Sequence, residues 1–362
     1  MQAGDTQTNL LKRLSRALRD NTPKPLTLVF ITSGSCTNIT AIYTGVPITA
    51  TLQYAPSIAE NPTWTPDQPM LTCTPPDGGK LPDIANSALF NSACTQDPPP
   101  STVELIEGPR QAYVLAVPRQ SSQIAITFEE AYFVFGFGQP GMIDPWVDET
   151  EMFIRTVTKS TLLAWAANIS VPADKWHGVR YDGSPMVQSA LETAATPEAA
   201  IGILGAEVYD ADRAKLKSLA FRAKDQTHAF WPDSSPTSFD KKALRDGHYT
   251  VWSPTIWMDA VDANNTPTNA DARYIIDLIA GRVVTPAQNF GMIDIISAVG
   301  LVPICAMGVQ RSFEGGPLSL YKPAESCVCK YESLVDTSAC APCSDTLACT
   351  SGVCRNGLCE AN

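Results

Sequence analysis

Two short runs rich in hydroxyl groups are the parts of this sequence best suited to chemistry. One is Thr32-Ser33-Gly34-Ser35, and the other is Arg155-Thr-Val-Thr-Lys159-Ser160-Thr161. Each follows an apolar run that reads as a strand, and each stands where a helix can begin. The first turn of a helix exposes unsatisfied N–H groups and a partial positive charge, which attract anions. Serine and threonine hydroxyls add donors. An arginine adds a two-pronged charged donor matched to phosphate-like oxygens. Taken singly, each run is more simply read as an ordinary helix cap, since such caps are common. Together they offer the binding of a small oxyanion.

The other reactive residue types do not assemble into a motif. His177, His228 and His248 are scattered, and none has a metal-type partner three or four residues on. Gly136-Phe-Gly138-Gln-Pro-Gly141 has the spacing of dinucleotide-binding glycines. It follows a predicted helix rather than a strand, however, and holds Pro140 within it. Neither a nucleophile elbow nor a Gly-x-x-x-x-Gly-Lys phosphate loop is present. The expectation is a protein that is not an enzyme, with no cofactor and no metal.

The elements that must position these residues are legible as alternating strands and helices. Leu26 to Ile31, Gln111 to Val117, Glu151 to Val157, Ala199 to Leu204 and Tyr249 to Trp252 read as strands. Helices are expected over Ile126 to Phe135, Ser160 to Asn168, Met186 to Thr193 and Ala270 to Ile279. Thr127 followed by Glu130 gives the first of these a capping box. Such alternation implies an α/β fold with mostly parallel sheets and helices on their faces. Residues 1–24 read as an N-terminal arm, either a helix or a loose segment, with a weak amphipathic stretch from Leu10 to Leu18.

Composition narrows the function classes. The chain has 362 residues, 44% of them hydrophobic and 17% charged, enough for sizeable cores. Its net charge of −11 disfavours nucleic acid and anionic membrane as partners. Seven of its 11 cysteines lie between Cys327 and Cys359, a density that fits an oxidising compartment. A periplasmic or cell-surface location is expected, with a signal segment removed from the mature chain. So short a tail cannot bury much core, and cross-links must stabilise it. Cys354-Arg-Asn-Gly-Leu-Cys359 reads as a hairpin turning at Asn356-Gly357. Disulfides are favoured over zinc, because nothing completes the Cys340-x-x-Cys343 pair as a metal site. In the body, a bond between Cys73 and Cys94 is expected to close the proline-rich loop bearing Ser87, leaving Cys36 as a free thiol.

In this order the segments resemble the phosphate-type periplasmic solute-binding proteins of ABC transporters. The resemblance runs from Pro25 to Phe313 and lies in segment order. The hydroxyl-rich loop after the first strand falls on Thr32 to Ser35. A Gly-x-Ser-Asp-like turn falls on Ala85-Asn86-Ser87-Ala88. The helix ending in Phe-x-Gly falls on Ile126 to Gly136, and an acidic Trp-containing turn on Ile143-Asp-Pro-Trp146. The R-x-x-G-S-G-T turn falls on Arg155 to Thr161. Lys159 stands where that turn has its ligand serine, Ser160 replaces a glycine, and Ala88 stands where an aspartate accepts a proton from the ligand. The extra lysine favours a more highly charged ligand.

The resemblance implies a two-lobed type II periplasmic binding protein fold. One lobe is expected from 25–117 plus 250–325 and the other from 118–249, with crossovers near Val114 to Pro118 and Tyr249 to Ser253. A cysteine-rich tail occupies 326–362. The implied function is capture of a small oxyanion, phosphate first among them, in an interlobe cleft. Ser33, Ser35 and Ser87 from one lobe, with Arg155, Lys159, Ser160 and Thr161 from the other, are the expected ligands. A membrane permease is the implied partner of a monomeric receptor. The alternative is a cell-surface sensing or adhesion protein that reuses the fold, with its tail as an interaction module.

Overall fold

The structure is a computed structural model that describes residues 1–336, 338–345 and 349–361; the remaining five positions of the tail lie outside the described residues. The chain forms two compact units, one of residues 1–109 with 254–299 and the other of 110–253 with 300–362. It passes between them at 109/110, 253/254 and 299/300. Segments 110–117, 250–253 and 300–325, expected with the first lobe, thus group with the second unit. The cause is pairing: Arg110 and Val302 exchange backbone hydrogen bonds of 2.8 and 3.0 Å.

In the first unit the strands run in the order Ile31–Ser33, Gln2–Gly4, Ile84–Ser87, Trp252–Ala260 and Val103–Pro118. The first three are parallel, with Gly4 opposite Ser33, and Trp252–Ala260 runs antiparallel to Ile84–Ser87. Every residue of Ile84–Ser87 is buried, as expected for a strand covered on both faces. Helix Ser35–Thr44 contributes Ile39 to a core with Ala85, Val103, Ile256 and Met258.

Of the two readings of the N-terminal residues, the structure has the helix and not the loose arm. Gln2–Gly4 is a strand inside the sheet, and helix Thr8–Arg19 buries Leu10, Leu11, Leu14 and Leu18 along one face. The apolar run expected as the first strand instead packs on that helix. Leu26 N–H donates to the Leu18 carbonyl (2.9 Å), and the Ser15 hydroxyl donates to that of Leu28 (3.1 Å), so regular pairing begins only at Ile31.

In the second unit, Ile201–Gly205 lies antiparallel to Val103–Pro118 and parallel to Met152–Arg155, which in turn pairs parallel with Val179–Tyr181. Leu216–Ser218 adds a short antiparallel pairing. Helices Phe128–Phe137, Ser160–Ile169, Ser184–Glu192 and Ala206–Ala211 complete it. The Thr127 capping box forms as the sequence predicts: the Thr127 hydroxyl accepts from Glu130 N–H (3.1 Å), and the Glu130 carboxylate accepts from Thr127 N–H (2.8 Å). The Gly136-x-Gly138 run lies at the C-terminal end of that helix. Carbonyls rather than N–H groups face out there, so it cannot cradle a phosphate.

Five disulfides form, and Cys73 is the free cysteine. The expected Cys73–Cys94 bond is replaced by Cys36–Cys94. Helix Ser35–Thr44 packs beside Ile84–Ser87, and Cys94 packs against the same core, leaving the Cα atoms of Cys36 and Cys94 5.1 Å apart. Cys73 sits instead at the end of Leu71–Cys73, which pairs with Leu52–Tyr54 in a separate two-stranded ladder. In the tail, Cys305–Cys327 ties the body to helix Val328–Val335. The carboxylate of buried Glu360 accepts from the N–H groups of Cys329 (3.0 Å) and Lys330 (2.9 Å) at the start of that helix. The predicted hairpin is present, pairing Cys354 with Cys359 across Asn356-Gly357, both at positive φ.

Candidate functional site

The hydroxyl-rich turn of the first unit is built by a short parallel strand pair running into a helix. Strand Ile31–Ser33 ends at Gly34, the N-cap, and Ser35 is the first residue of Ser35–Thr44. Gly4 ends the neighbouring strand, and its N–H donates to the Asn86 side-chain oxygen (3.3 Å). A Cβ on Gly4 would lie 3.6 Å from Ser35 Oγ and from Asn86 Oδ1, and 3.7 Å from Thr6 Oγ1. Thr6, Ser35 and Asn86 therefore converge on one glycine. All three are buried. Ser35 Oγ accepts from Ala88 N–H (3.1 Å), and Asn38 Nδ2 donates to the Asn86 carbonyl (2.9 Å). The Asn38 side-chain oxygen is buried without a hydrogen-bond partner among the described residues.

Of the serines expected in this half, Ser35 and Ser87 are buried next to one another in the fold, whereas Ser33 is partly exposed. The Ser87 hydroxyl is engaged locally, donating to the Leu89 carbonyl (2.8 Å). Gly4 and Thr6 went unnoticed because a three-residue strand has no apolar pattern. A glycine and a threonine just ahead of an amphipathic helix were the available signal.

In the second unit, Met152–Arg155 delivers the second turn to helix Ser160–Ile169. Lys159 is its N-cap, in extended conformation, and offers no side-chain cap. Arg155 is fully buried. Its Nε donates to the Tyr181 carbonyl (3.2 Å), one Nη to the Asp182 carbonyl (2.7 Å), and the other to the Ser184 hydroxyl. The guanidinium thus fastens the turn to the segment where Val179–Tyr181 passes into Ser184–Glu192. Lys159 is buried up to its ammonium, which lies 3.2 Å from Asp182 Oδ1. The hydrogen bond and charge of Lys159 hold the Asp182 carboxyl below the usual carboxylate range.

Ser160 and Thr161 occupy the first helical turn, where backbone N–H groups await partners. Thr161 is completely buried, and its hydroxyl has no hydrogen-bond partner among the described residues. Ser160 hydrogen-bonds the hydroxyl of Tyr113, which burial pushes well above its ordinary pKa and which Ser253 also contacts. Ser253 in turn donates to Glu314 Oε1 (2.8 Å). Sequence reasoning missed Tyr113, Ser253 and Glu314, which carry no motif and meet only in three dimensions. The histidines remain peripheral: His177 pairs with Glu149 (3.2 Å), and His248 lies against Phe230.

The expected residues thus form two groups, Ser33, Ser35 and Ser87 in one unit and Arg155, Lys159, Ser160 and Thr161 in the other. Each group stands at a strand end that opens a helix. In each, the first turn of the helix leaves backbone N–H groups without intrahelical partners.

Among solved structures the chain is similar to a phosphate ABC transporter substrate-binding protein from Clostridium perfringens with bound phosphate. The TM-score is 0.55 at 13% identity, covering 84% of this chain and 98% of that one. An ABC-type phosphate transport receptor from Vibrio cholerae matches with a TM-score of 0.50 at 13% identity, over 83% of this chain and 98% of that one. A high-affinity periplasmic phosphate-binding protein bound with phosphate matches at 0.50 and 12% identity, over 93% of this chain and 99% of that one. No family model and no curated protein matches the sequence. The fold is that of the phosphate-type substrate-binding proteins of ABC transporters. This chain also has a disulfide-rich C-terminal region.

Proposed function

We propose that this protein is an extracytoplasmic solute-binding protein that captures a small oxyanion, phosphate first among the candidates, and hands it to a membrane permease. The observation that carries the reading is the helix start at Ser160-Thr161, where a buried Thr161 hydroxyl without a hydrogen-bond partner among the described residues stands in the same turn as buried Lys159 and Arg155. A buried donor without a partner costs free energy unless something fills it. An oxyanion does so while also meeting the helix dipole.

In this reading Ser33, Ser35 and Ser87 in one unit, and the Arg155, Lys159, Ser160 and Thr161 turn in the other, are the oxyanion-binding residues. The fold likeness supports it, since the similar proteins named above are phosphate receptors and not enzymes. The disulfides support an oxidising location, and no helix among the described residues is long and apolar enough to cross a membrane. Thermal denaturation with and without phosphate and sulfate tests the reading. A ligand that binds the folded state alone raises Tm with concentration. An unchanged Tm at millimolar concentrations of either anion would count against it.

A further inference from the structure

A buried guanidinium lies at the far end of the polar chain that begins at Ser160. Arg311 is 7% exposed. One Nη donates to the Thr250 carbonyl (2.8 Å), and the guanidinium carbon stacks 4.4 Å from the centre of the Trp252 ring. Its Nε and its other Nη are buried without a hydrogen-bond partner among the described residues, and so is the indole N–H of Trp252. Burial pulls the Arg311 pKa down to about 10, with the Glu314 charge offsetting part of that loss. From Glu314 the chain runs through Ser253 and Tyr113 to Ser160, beside the orphaned Thr161 hydroxyl.

The unmet groups share one character. Guanidinium and indole N–H groups are donors only, and a threonine hydroxyl can donate. Glu314 is the one nearby carboxylate, and its charge offsets only part of the cost of burying Arg311; the buried Arg311 and Trp252 donors still await acceptor oxygens. Arg155 stands in contrast, because its guanidinium already holds the 181–184 segment in place.

We infer that Arg311 is a ligand-binding residue that presents charged N–H groups to the oxyanion, with the Trp252 indole beside it, and that Arg155 is a positioning residue. The inference rests on the oxyanion reading above. It gives the site a second arginine that lies outside the Arg155 to Thr161 turn.

The test is calorimetric titration of the full chain with inorganic phosphate, together with Tm measured without phosphate. Arg311→Gln is expected to weaken binding on the order of 100-fold, as for loss of a buried charged partner. Its Tm without phosphate should hold or rise, since an undercompensated buried charge has been removed. Arg155→Lys is expected to lower that Tm along with affinity. Trp252→Phe keeps the ring beneath the guanidinium and removes only the N–H, so it should weaken binding roughly five- to tenfold. It decides the matter if Arg311→Gln does not fold. If the wild type binds and Arg311→Gln or Trp252→Phe binds equally well, the inference is overturned while the oxyanion function stands. A large fall in the phosphate-free Tm of Arg311→Gln, with affinity intact in Trp252→Phe, also overturns it and makes Arg311 structural. If the wild type binds neither phosphate nor sulfate, the function itself fails, and this inference with it.

Discussion

At the scale of single residues, the site is defined by which polar groups are already satisfied. Arg155 and Lys159 were both legible from the sequence, yet they do different work. Arg155 spends its donors on Tyr181, Asp182 and Ser184, whereas the Lys159 ammonium meets the exposed carboxylate of Asp182. Arg155→Ala is therefore expected to weaken phosphate binding indirectly, by loosening the turn that the guanidinium fastens, at a cost of about 1–3 kcal/mol for the buried groups left unpaired. It should lower stability as well, and titration combined with thermal denaturation separates the two effects. Lys159→Ser restores the residue type expected at this place in the turn. It should weaken phosphate binding by about tenfold and flatten its salt dependence, because one cation is lost. Titration at low and high salt checks this. Ser160 and Thr161 were legible as hydroxyls at a helix start. That Ser160 touches Tyr113 was not legible, because strand Val103–Pro118 and helix Ser160–Ile169 are joined only by packing.

At the scale of elements, the sequence speaks where a pattern is long or a cap is explicit. Helix Ala270–Ile279 has the bounds its periodicity predicts, and the Thr127 box starts its helix where expected. Reading fails where three residues make a strand, as at Gln2–Gly4, and where an apolar run packs on a helix instead of pairing, as at Leu26 to Val29. The disulfide in the body was misassigned for a related reason. Proximity along a proline-rich loop pointed to Cys73, but packing of helix Ser35–Thr44 on Ile84–Ser87 presents Cys36. That bond closes 58 residues of chain. Its removal in Cys36→Ser/Cys94→Ser should cost about 4 kcal/mol on the loop-entropy account, read from denaturant unfolding. Non-reducing mass mapping should find Cys73 as the alkylated thiol; a labelled Cys36 would contradict the packing. A pH effect belongs to the same scale. Glu198 accepts from the Ser122 hydroxyl (2.6 Å), the Ser122 N–H (2.7 Å) and the Gln123 amide (2.6 Å), and hydrogen bonds from Ser122 and Gln123 bring its pKa from 4.5 to about 2. A depressed carboxyl pKa stabilises the fold above the unfolded value, and that stability is lost as pH falls. Wild-type stability should therefore decline between pH 4.5 and about 2, by a small amount because the group meets solvent. Glu198→Gln should remove that part of the slope in acid titrations of Tm.

At the scale of the whole molecule, the fold class was legible because strand and helix segments alternate and because the order of hydroxyl-bearing turns is itself a pattern. The domain limits were less so. Sequence reading places changes of unit at breaks in composition, whereas Val103–Pro118 and Trp252–Ala260 are single strands that each span a unit boundary. The resemblance placed residues 300–325 in the first lobe, whereas the bridge between Arg110 and Val302 groups them with the second unit. The same error hid Arg311 and Glu314, which lie in that segment and complete the polar chain from Ser160. The tail follows the same logic. Its cysteines promised cross-links, but only the structure shows Cys305–Cys327 joining it to the body and Arg245 reaching Glu332 (2.8 Å). The account depends most on one claim, that this donor-rich fold binds a small oxyanion. Isothermal titration of the wild-type chain with inorganic phosphate, with sulfate run in parallel, tests it most directly. The account predicts saturable binding of phosphate at one site per chain, with a matching rise in Tm. Absence of heat and of any Tm change for both anions at millimolar concentration would contradict it.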